Sequence, residues 1–171
     1  MTAPIPVVVA GALGRMGAEV IRAVTGAADC TLVGAIDNTP GKEGMDVGLE
    51  LGLEELTVAV TADFEGCLCA VSQSVRDAGK AAVLVDFTHP SVVYEHTRAA
   101  IAYGVHPVIG TTGLTPQQLQ DLSVFSAKAS IGGAVIPNFS VGMVLLQQAA
   151  AAAARFYDHA ELTELHHNRK A

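Results

Sequence analysis

The chain has 171 residues, half of them hydrophobic and 16% charged, with a formal net charge of -7. That balance implies a buried core and excludes disorder, while the excess of acid excludes a general nucleic-acid surface, which needs a basic face. The length holds one domain and a fragment of a second.

Trp is absent and aromatics are 5%, so the core must be built from Val, Ile, Leu and Ala, as buried parallel strands are. Val7–Ala10 reads as the first buried strand, and Met16–Thr25 as a helix with Ile21 and Val24 facing inward. Thr31–Ile36 is a second strand, ended by Asp37. Residues 41–55 are rich in Gly and acid without a clean period, and read as a loop with one helical turn. Leu56–Val60 is a third strand, Glu65–Ala78 a helix, and Ala82–Val85 a fourth strand running into Asp86-Phe87-Thr88. Ser91–Tyr103 is a helix capped by Ser91 or Thr88. Val105–Ile109 is a fifth strand, in which Pro107 suggests an edge position or an irregular ladder. Thr115-Pro116-Gln117-Gln118 is a capping box with Pro at the first helical position, opening a helix to about Lys128. Ala134–Ile136 is a sixth strand, stopped by Pro137-Asn138, and residues 137–140 read as a hinge. Val141–Tyr157 is a helix whose alanine run suits its interior. Its apolar stripe includes Val141, Val144, Leu145 and Ala149. Ala160–His166 alternates as a seventh strand. Strands alternating with helices make βαβ units, hence an α/β fold with a mostly parallel sheet and right-handed crossovers.

Cys30, Cys67 and Cys69 form an odd set without CxxC spacing and read as buried structural thiols. Residues 1–6 have no basic n-region, and no stretch approaches the roughly 20 apolar residues of a membrane helix. A reducing cytoplasm is the expected setting, with no membrane partner.

The motif with most chemistry is Gly11-x-x-Gly14-x-x-Gly17, which follows the first strand and opens a helix. That is the context of a dinucleotide-binding turn. Gly11 makes the turn, Gly14 admits the pyrophosphate, and Gly17 lets helix and strand pack. Free N–H groups and the helix dipole favour the anion. Asp37, at the end of strand two, stands where an acid meets the adenosine ribose, or else caps a turn. Asp37 favours NAD, whereas Arg15 inside the turn can pair with a 2′-phosphate, so NADH and NADPH both stay open. Asp86-Phe87-Thr88, Gly110-Thr111-Thr112 and Pro137-Asn138-Phe139-Ser140 follow three further strands. Their recurrence at successive strand ends indicates one cofactor crevice.

The densest basic cluster is His166-His167-Asn168-Arg169-Lys170, after a strand that places Leu162, Glu164 and His166 on one face. Imidazole exchanges protons near neutral pH, and Lys170 offers a fixed cation, which together suit a small acidic substrate. A solvated basic terminus is the plain alternative. His89, His96, His106 and His159 read as scattered and unpaired. No HExxH or Cys/His spacing indicates a metal, and no GxSxG elbow appears.

These motifs together resemble the 4-hydroxy-tetrahydrodipicolinate reductase family, long called dihydrodipicolinate reductase. Val8–Gly17 is similar to its cofactor turn. Val85–Thr88, Gly110–Gly113 and Asn138–Gly142 are similar to its next three motifs, and Glu161–Lys170 to the start of its active-site signature. The resemblance implies a Rossmann-type doubly wound domain at 1–137. Residues 138–171 would begin an α+β substrate-binding and tetramerisation domain with one helix and one strand. It implies hydride transfer from NADPH or NADH to an unsaturated ring dicarboxylate, in lysine and diaminopimelate biosynthesis, by a homotetramer. His166 then matches the catalytic acid/base, Lys170 the second proton donor and His167 a substrate-carboxylate contact. Gly11, Ala12, Leu13, Gly14, Arg15, Met16, Asp37, Phe87, Gly110, Thr111, Thr112, Ile136, Pro137, Asn138 and Phe139 match cofactor contacts.

The family's signature continues past its lysine with an Asp-x-Pro-Ser-Gly-Thr-Ala loop, whereas this sequence stops at Ala171. The expectation is therefore about two thirds of the family's length: a chain that binds dinucleotide, turns over poorly and self-associates. Two other readings are a dinucleotide-binding module without catalysis and a different Rossmann oxidoreductase. Cys67 and Cys69, placed before the fourth strand, lack the setting of a thioester nucleophile.

Overall fold

The computed structural model describes residues 3–136, 138–161 and 163. The chain divides into two compact units, Met1–Ile136 and Pro137–Ala171. Among the described residues the first unit holds six strands: β1 (Ile5–Ala10), β2 (Cys30–Ile36), β3 (Val60–Thr61), β4 (Val83–Asp86), β5 (His106–Ile109) and β6 (Ala134–Val135). They form one sheet in the order β3-β2-β1-β4-β5-β6, and every pairing is parallel. This is the doubly wound order in which two βαβαβ halves diverge from a central strand.

The alternation of side chains along β1 explains the two-sided core. Val8 and Ala10 face one layer, with Leu68, Val71 and Val75 of α3 (Phe64–Asp77) and Ala100 of α4 (Val93–Ala102). Val7 and Val9 face the other, with Ile21 and Val24 of α1 (Arg15–Gly26) and Val47 of α2 (Val47–Glu50). A strand buried on both faces needs a continuous apolar run, and Val7-Val8-Val9-Ala10 provides it. Gly34 in β2 admits α3 closely, because a Cβ there would press on the Cys67 sulfur and Val8.

The third strand is shorter than the pattern of Leu56–Val60 predicts. Asp46 caps α2 by accepting from Leu49 N, and the same carboxylate accepts from Leu56 N and Val58 N, each at 3.1 Å. Thr57 takes a left-handed φ of 58°. The hydrogen-bonding capacity of 56–58 is thus spent on the α2 turn, and only Val60 and Thr61 pair with β2.

The edge position considered for Pro107 is corrected, since β5 lies between β4 and β6. His106 N donates to Ala82 O at 2.9 Å on the β4 side, and N–H groups alternate sides along a strand. The missing N–H of Pro107 therefore faces β6, whose pairing begins only at Val108. Neither Ser91 nor Thr88 caps α4, which starts at Val93 with no side-chain cap.

α5 (Pro116–Ala129) carries the full capping box: Thr115 accepts from Gln118 N, and Gln118 accepts from Thr115 N at 2.9 Å. Thr115→Ala will lower stability by about 1 kcal/mol, read as a shifted denaturant midpoint at unchanged slope.

In the second unit α6 spans Val141–Ala153, ending short of Tyr157. Val141, Val144 and Leu145 are exposed along it. Ala160, Glu161 and Thr163 are not in a strand, and the rest of the expected seventh strand, Leu162 and residues 164–166, lies outside the described residues.

Candidate functional site

The carboxyl ends of β1, β2, β4 and β5 meet where the strand order reverses, between β1 and β4. Ligand crevices form at that point in open parallel sheets. Gly11 follows β1 with φ 75°, a left-handed conformation that glycine adopts without strain. A Cβ on Gly11 would overlap the Phe87 carbonyl, and one on Gly17 would overlap the Gly11 carbonyl. Both glycines are thus fixed by close backbone approach, while Gly14 is under less pressure, with a Cβ position 3.1 Å from Gly11 O.

Gly14 is the N-cap of α1 and offers no side-chain cap, and no acid sits in the first turn. The first N–H groups of a helix have no intrahelical acceptor. The Arg15–Met16 turn is therefore an uncapped, exposed helix start with a positive dipole end. An anion fits such a place. Ala12 is buried and Leu13 half-buried beneath it, packed with the α1 face of the core.

Asp37 links this turn to β2. Its Oδ2 accepts from Leu13 N at 2.9 Å, and its Oδ1 accepts from Thr39 N at 2.9 Å and Thr39 Oγ1 at 2.6 Å. The turn-capping role considered for Asp37 is therefore real. A carboxylate has about four acceptor sites, so these bonds leave capacity for a hydroxyl.

Asp86 ends β4 and is fully buried. It accepts from Thr88 N at 3.0 Å, Thr88 Oγ1 at 2.7 Å and Thr111 Oγ1 at 2.6 Å. His96 Nδ1 lies 2.9 Å from its other oxygen. Burial pushes the Asp86 carboxyl up, but the hydrogen bonds from His96, Thr111 and Thr88 outweigh it and hold the group below its ordinary value. The His96 ring stacks on Phe64, with centroids 3.9 Å apart and planes within 9°.

His96 is thus not the unpaired residue that its isolation in sequence implied. His89 Nδ1 also pairs with Ser91 Oγ at 2.9 Å, and His106 Nδ1 with Gly132 O at 2.9 Å. His96 is the site residue that sequence reasoning missed, and Asp86 was read as part of a strand end without its role as a buried acceptor. The available clue was an acid closing an apolar strand, which requires a buried donor somewhere. No spacing rule names that donor.

Phe87 binds the strand ends together. Its N donates to Ala10 O at 3.0 Å, and its ring lies where a Cβ on Gly110 would be. Gly110 N and Thr111 N donate to Asp86 O at 2.9 and 3.2 Å. Thr111 is buried and Thr112 exposed. Ile136 N donates to Ile109 O at 2.8 Å, next to the same strand end. In the second unit, Asn138 Oδ1 accepts from Ser140 N at 2.7 Å and Phe139 is half exposed. Pro137, His166, His167, Arg169 and Lys170 lie outside the described residues.

A cavity of about 490 Å³ opens beside the turn, lined by Gly11, Asp37, Asn38, Phe64, Thr88 and His96 among others. Turn, acid and network therefore share one space. A second cavity of about 400 Å³ lies between α4, α5 and β5–β6 and has no ionisable lining residue. Burial, with Asp63 adding to it, pushes the Cys67 thiol up, the direction expected of an unreactive cysteine. Among the described residues no group of His, Cys, Asp or Glu could hold a metal ion. No helix among them is long and apolar enough to cross a membrane.

Comparison with known proteins agrees with this geometry. Residues 5–139 match the family model described as dihydrodipicolinate reductase, N-terminus. The whole chain is 91% identical to 62% of a protein from Synechococcus sp. (strain CC9605) named 4-hydroxy-tetrahydrodipicolinate reductase. It is 88% identical, over the same share, to one of that name from Parasynechococcus marenigrum (strain WH8102). Among solved structures, the dipicolinate-bound dihydrodipicolinate reductase from Paenisporosarcina sp. TG-14 superimposes with a TM-score of 0.70 at 30% identity. That match covers 90% of this chain and 55% of the other. The chain thus spans about 62% of the length of the curated relatives it matches. With a glycine turn, an acid at the β2 end and a doubly wound sheet in their expected places, and a family match across 5–139, the chain belongs to the dihydrodipicolinate reductase family.

Proposed function

We propose that residues 1–137 are the cofactor-binding domain, and 138–171 the opening of the substrate-binding and tetramerisation domain, of a cytoplasmic NADPH- or NADH-dependent reductase. The reaction is reduction of 4-hydroxy-tetrahydrodipicolinate to tetrahydrodipicolinate, a step of lysine and diaminopimelate biosynthesis. The observation that carries this reading is the 91% identity across the full chain to a reductase of that name. The uncapped α1 start supports it, because Gly11, Ala12, Leu13, Gly14, Arg15 and Met16 offer an anion-binding turn with no competing side chain.

In this reading the α1 N–H groups hold the pyrophosphate and Asp37 accepts from the adenosine ribose. Phe87, Gly110, Thr111 and Thr112 form the nicotinamide side, and Ile136, Pro137, Asn138 and Phe139 are further cofactor contacts. When bound, the nicotinamide supplies the hydride. The protein's part is to orient and to move protons: His166 as acid/base, Lys170 as second donor, and His167 on a substrate carboxylate. A small dicarboxylate is the substrate.

Two measurements test it: titration with NADPH and NADH, and cofactor oxidation with freshly generated pathway substrate. Dinucleotide binding in the micromolar range is expected of the chain. In the protein that carries the complete substrate domain, His166→Ala is expected to lower kcat about 100-fold or more, as loss of a general acid does. Absence of binding to either dinucleotide refutes the cofactor assignment, and undiminished turnover in His166→Ala refutes the catalytic one.

A further inference from the structure

Asp86 is the one fully buried ionisable side chain among the described residues; the other buried polar residues are Ser72, Thr97 and Thr111. Burying a carboxylate is unfavourable, and a well-packed apolar residue serves a fold equally well. What an apolar residue cannot do is hold several donors from different elements at fixed positions. Asp86 holds three: Thr88 on the loop after β4, Thr111 on the loop after β5, and His96 on α4. Its backbone oxygen takes Gly110 N and Thr111 N as well. His96 is in turn fixed by its stack on Phe64.

The direction of the crevice follows from the strand order. Adenosine belongs at the β2 end, where Asp37 stands, and the pyrophosphate at the turn after β1. The remaining half of a dinucleotide then lies over the ends of β4 and β5, beside the loops that Asp86 joins. We propose that Asp86, partnered by His96, is a positioning residue for the nicotinamide half of the cofactor. It sets the relative height of the Thr88 and Thr111 loops; Thr88 and His96 line the cavity beside Asp37, so its reach toward the nicotinamide runs through Thr111. This inference rests on the dinucleotide reading above.

The test compares NADH with ADP-ribose, which lacks the nicotinamide, by titration of the purified chain and its variants. Thr111→Val keeps the side-chain shape and removes the hydroxyl donor, and Asp86→Asn keeps the shape and alters the acceptor. Both are expected to weaken NADH about tenfold, the size of one lost hydrogen bond to a charged group, and Thr111→Val to change ADP-ribose less than twofold. Thr111→Ser, which restores the hydroxyl, and His96→Asn, whose amide can stand in for Nδ1–H, are expected to restore wild-type NADH affinity.

Thermal melts identify any variant that fails to fold. If Asp86→Asn does so, Asp86→Glu, which keeps the charge and displaces the acceptor, replaces it, because Thr111 is itself placed on the nicotinamide side. Equal losses for both ligands in a folded Thr111→Val overturn the proposal, and so does unchanged NADH affinity. Failure of the underlying reading shows differently, as a wild-type chain that binds neither ligand.

Discussion

Gly17→Ala will lower the stability of this chain by about 3 kcal/mol and remove dinucleotide binding, the two losses arriving together. The added Cβ has nowhere to go: it would overlap the Gly11 carbonyl oxygen and crowd the Gly11 carbonyl carbon, all of it backbone. Backbone cannot rotate away as a side-chain tip can, so α1 must lift off β1, and overpacking of this kind costs about 1–3 kcal/mol or more. Lifting α1 also moves the first-turn N–H groups proposed above to hold the pyrophosphate. Gly14→Ala is the matched control. Its Cβ would stand 3.1 Å from the same oxygen, a displacement of a few tenths of an ångström, and it will retain most of the stability. A denaturant midpoint and an NADH titration on each variant check the pair. A Gly17→Ala chain with wild-type midpoint and affinity shows that helix and turn are not locked together.

Asp86→Ala is the second large effect. It leaves the Thr111 hydroxyl, the Thr88 loop and His96 without their buried acceptor. Removing one partner of a buried, hydrogen-bonded pair costs about 3–5 kcal/mol, more than truncating a methyl or two. The same group gives the wild type an acid sensitivity of definite sign. In the folded state the Asp86 carboxyl lies below its ordinary value of 3.8. The unfolded chain therefore takes up a proton first as pH falls. The stability from Asp86 is complete above the ordinary carboxylate range and is lost as pH falls through it toward the folded value. Urea midpoints between neutrality and pH 3 will fall more steeply for wild type than for Asp86→Ala. Parallel curves contradict that account.

The parallel sheet was legible because its signals are local. The apolar runs 7–10, 31–36 and 82–85 and the Thr115 capping box each act within a few residues, and all stand close to where the pattern put them. The third strand was misjudged because a distant residue intervenes: Asp46 takes the N–H groups of Leu56 and Val58, which alternation alone assigns to a ladder. Of the two readings of Pro107, the edge position fails, because its tolerance depends on how short the neighbouring strand is. Within the site, the glycine turn was readable from spacing, since two close backbone approaches demand Gly11 and Gly17, and Gly14 stands between them at the helix start. The Asp86–His96 pair was not, because nine residues, a loop among them, separate the two in sequence. Burial of the acid is visible only once the sheet is assembled. His166, His167 and Lys170 rest on family resemblance and lie outside the described residues.

The bond from Leu13 N to Asp37 Oδ2 has a kinetic consequence. It ties the glycine turn to the end of β2 through the chain's own groups. A turn held in this way leaves little backbone ordering for dinucleotide binding to complete. Association should then be a single-exponential event whose rate rises in proportion to ligand concentration, with no plateau from a slow loop rearrangement. Severing the tie with Asp37→Ala would set the turn wandering among conformations. Affinity would then fall through slower capture as well as faster escape. In this chain Asp37 would govern how soon the cofactor is caught, besides how long it is kept.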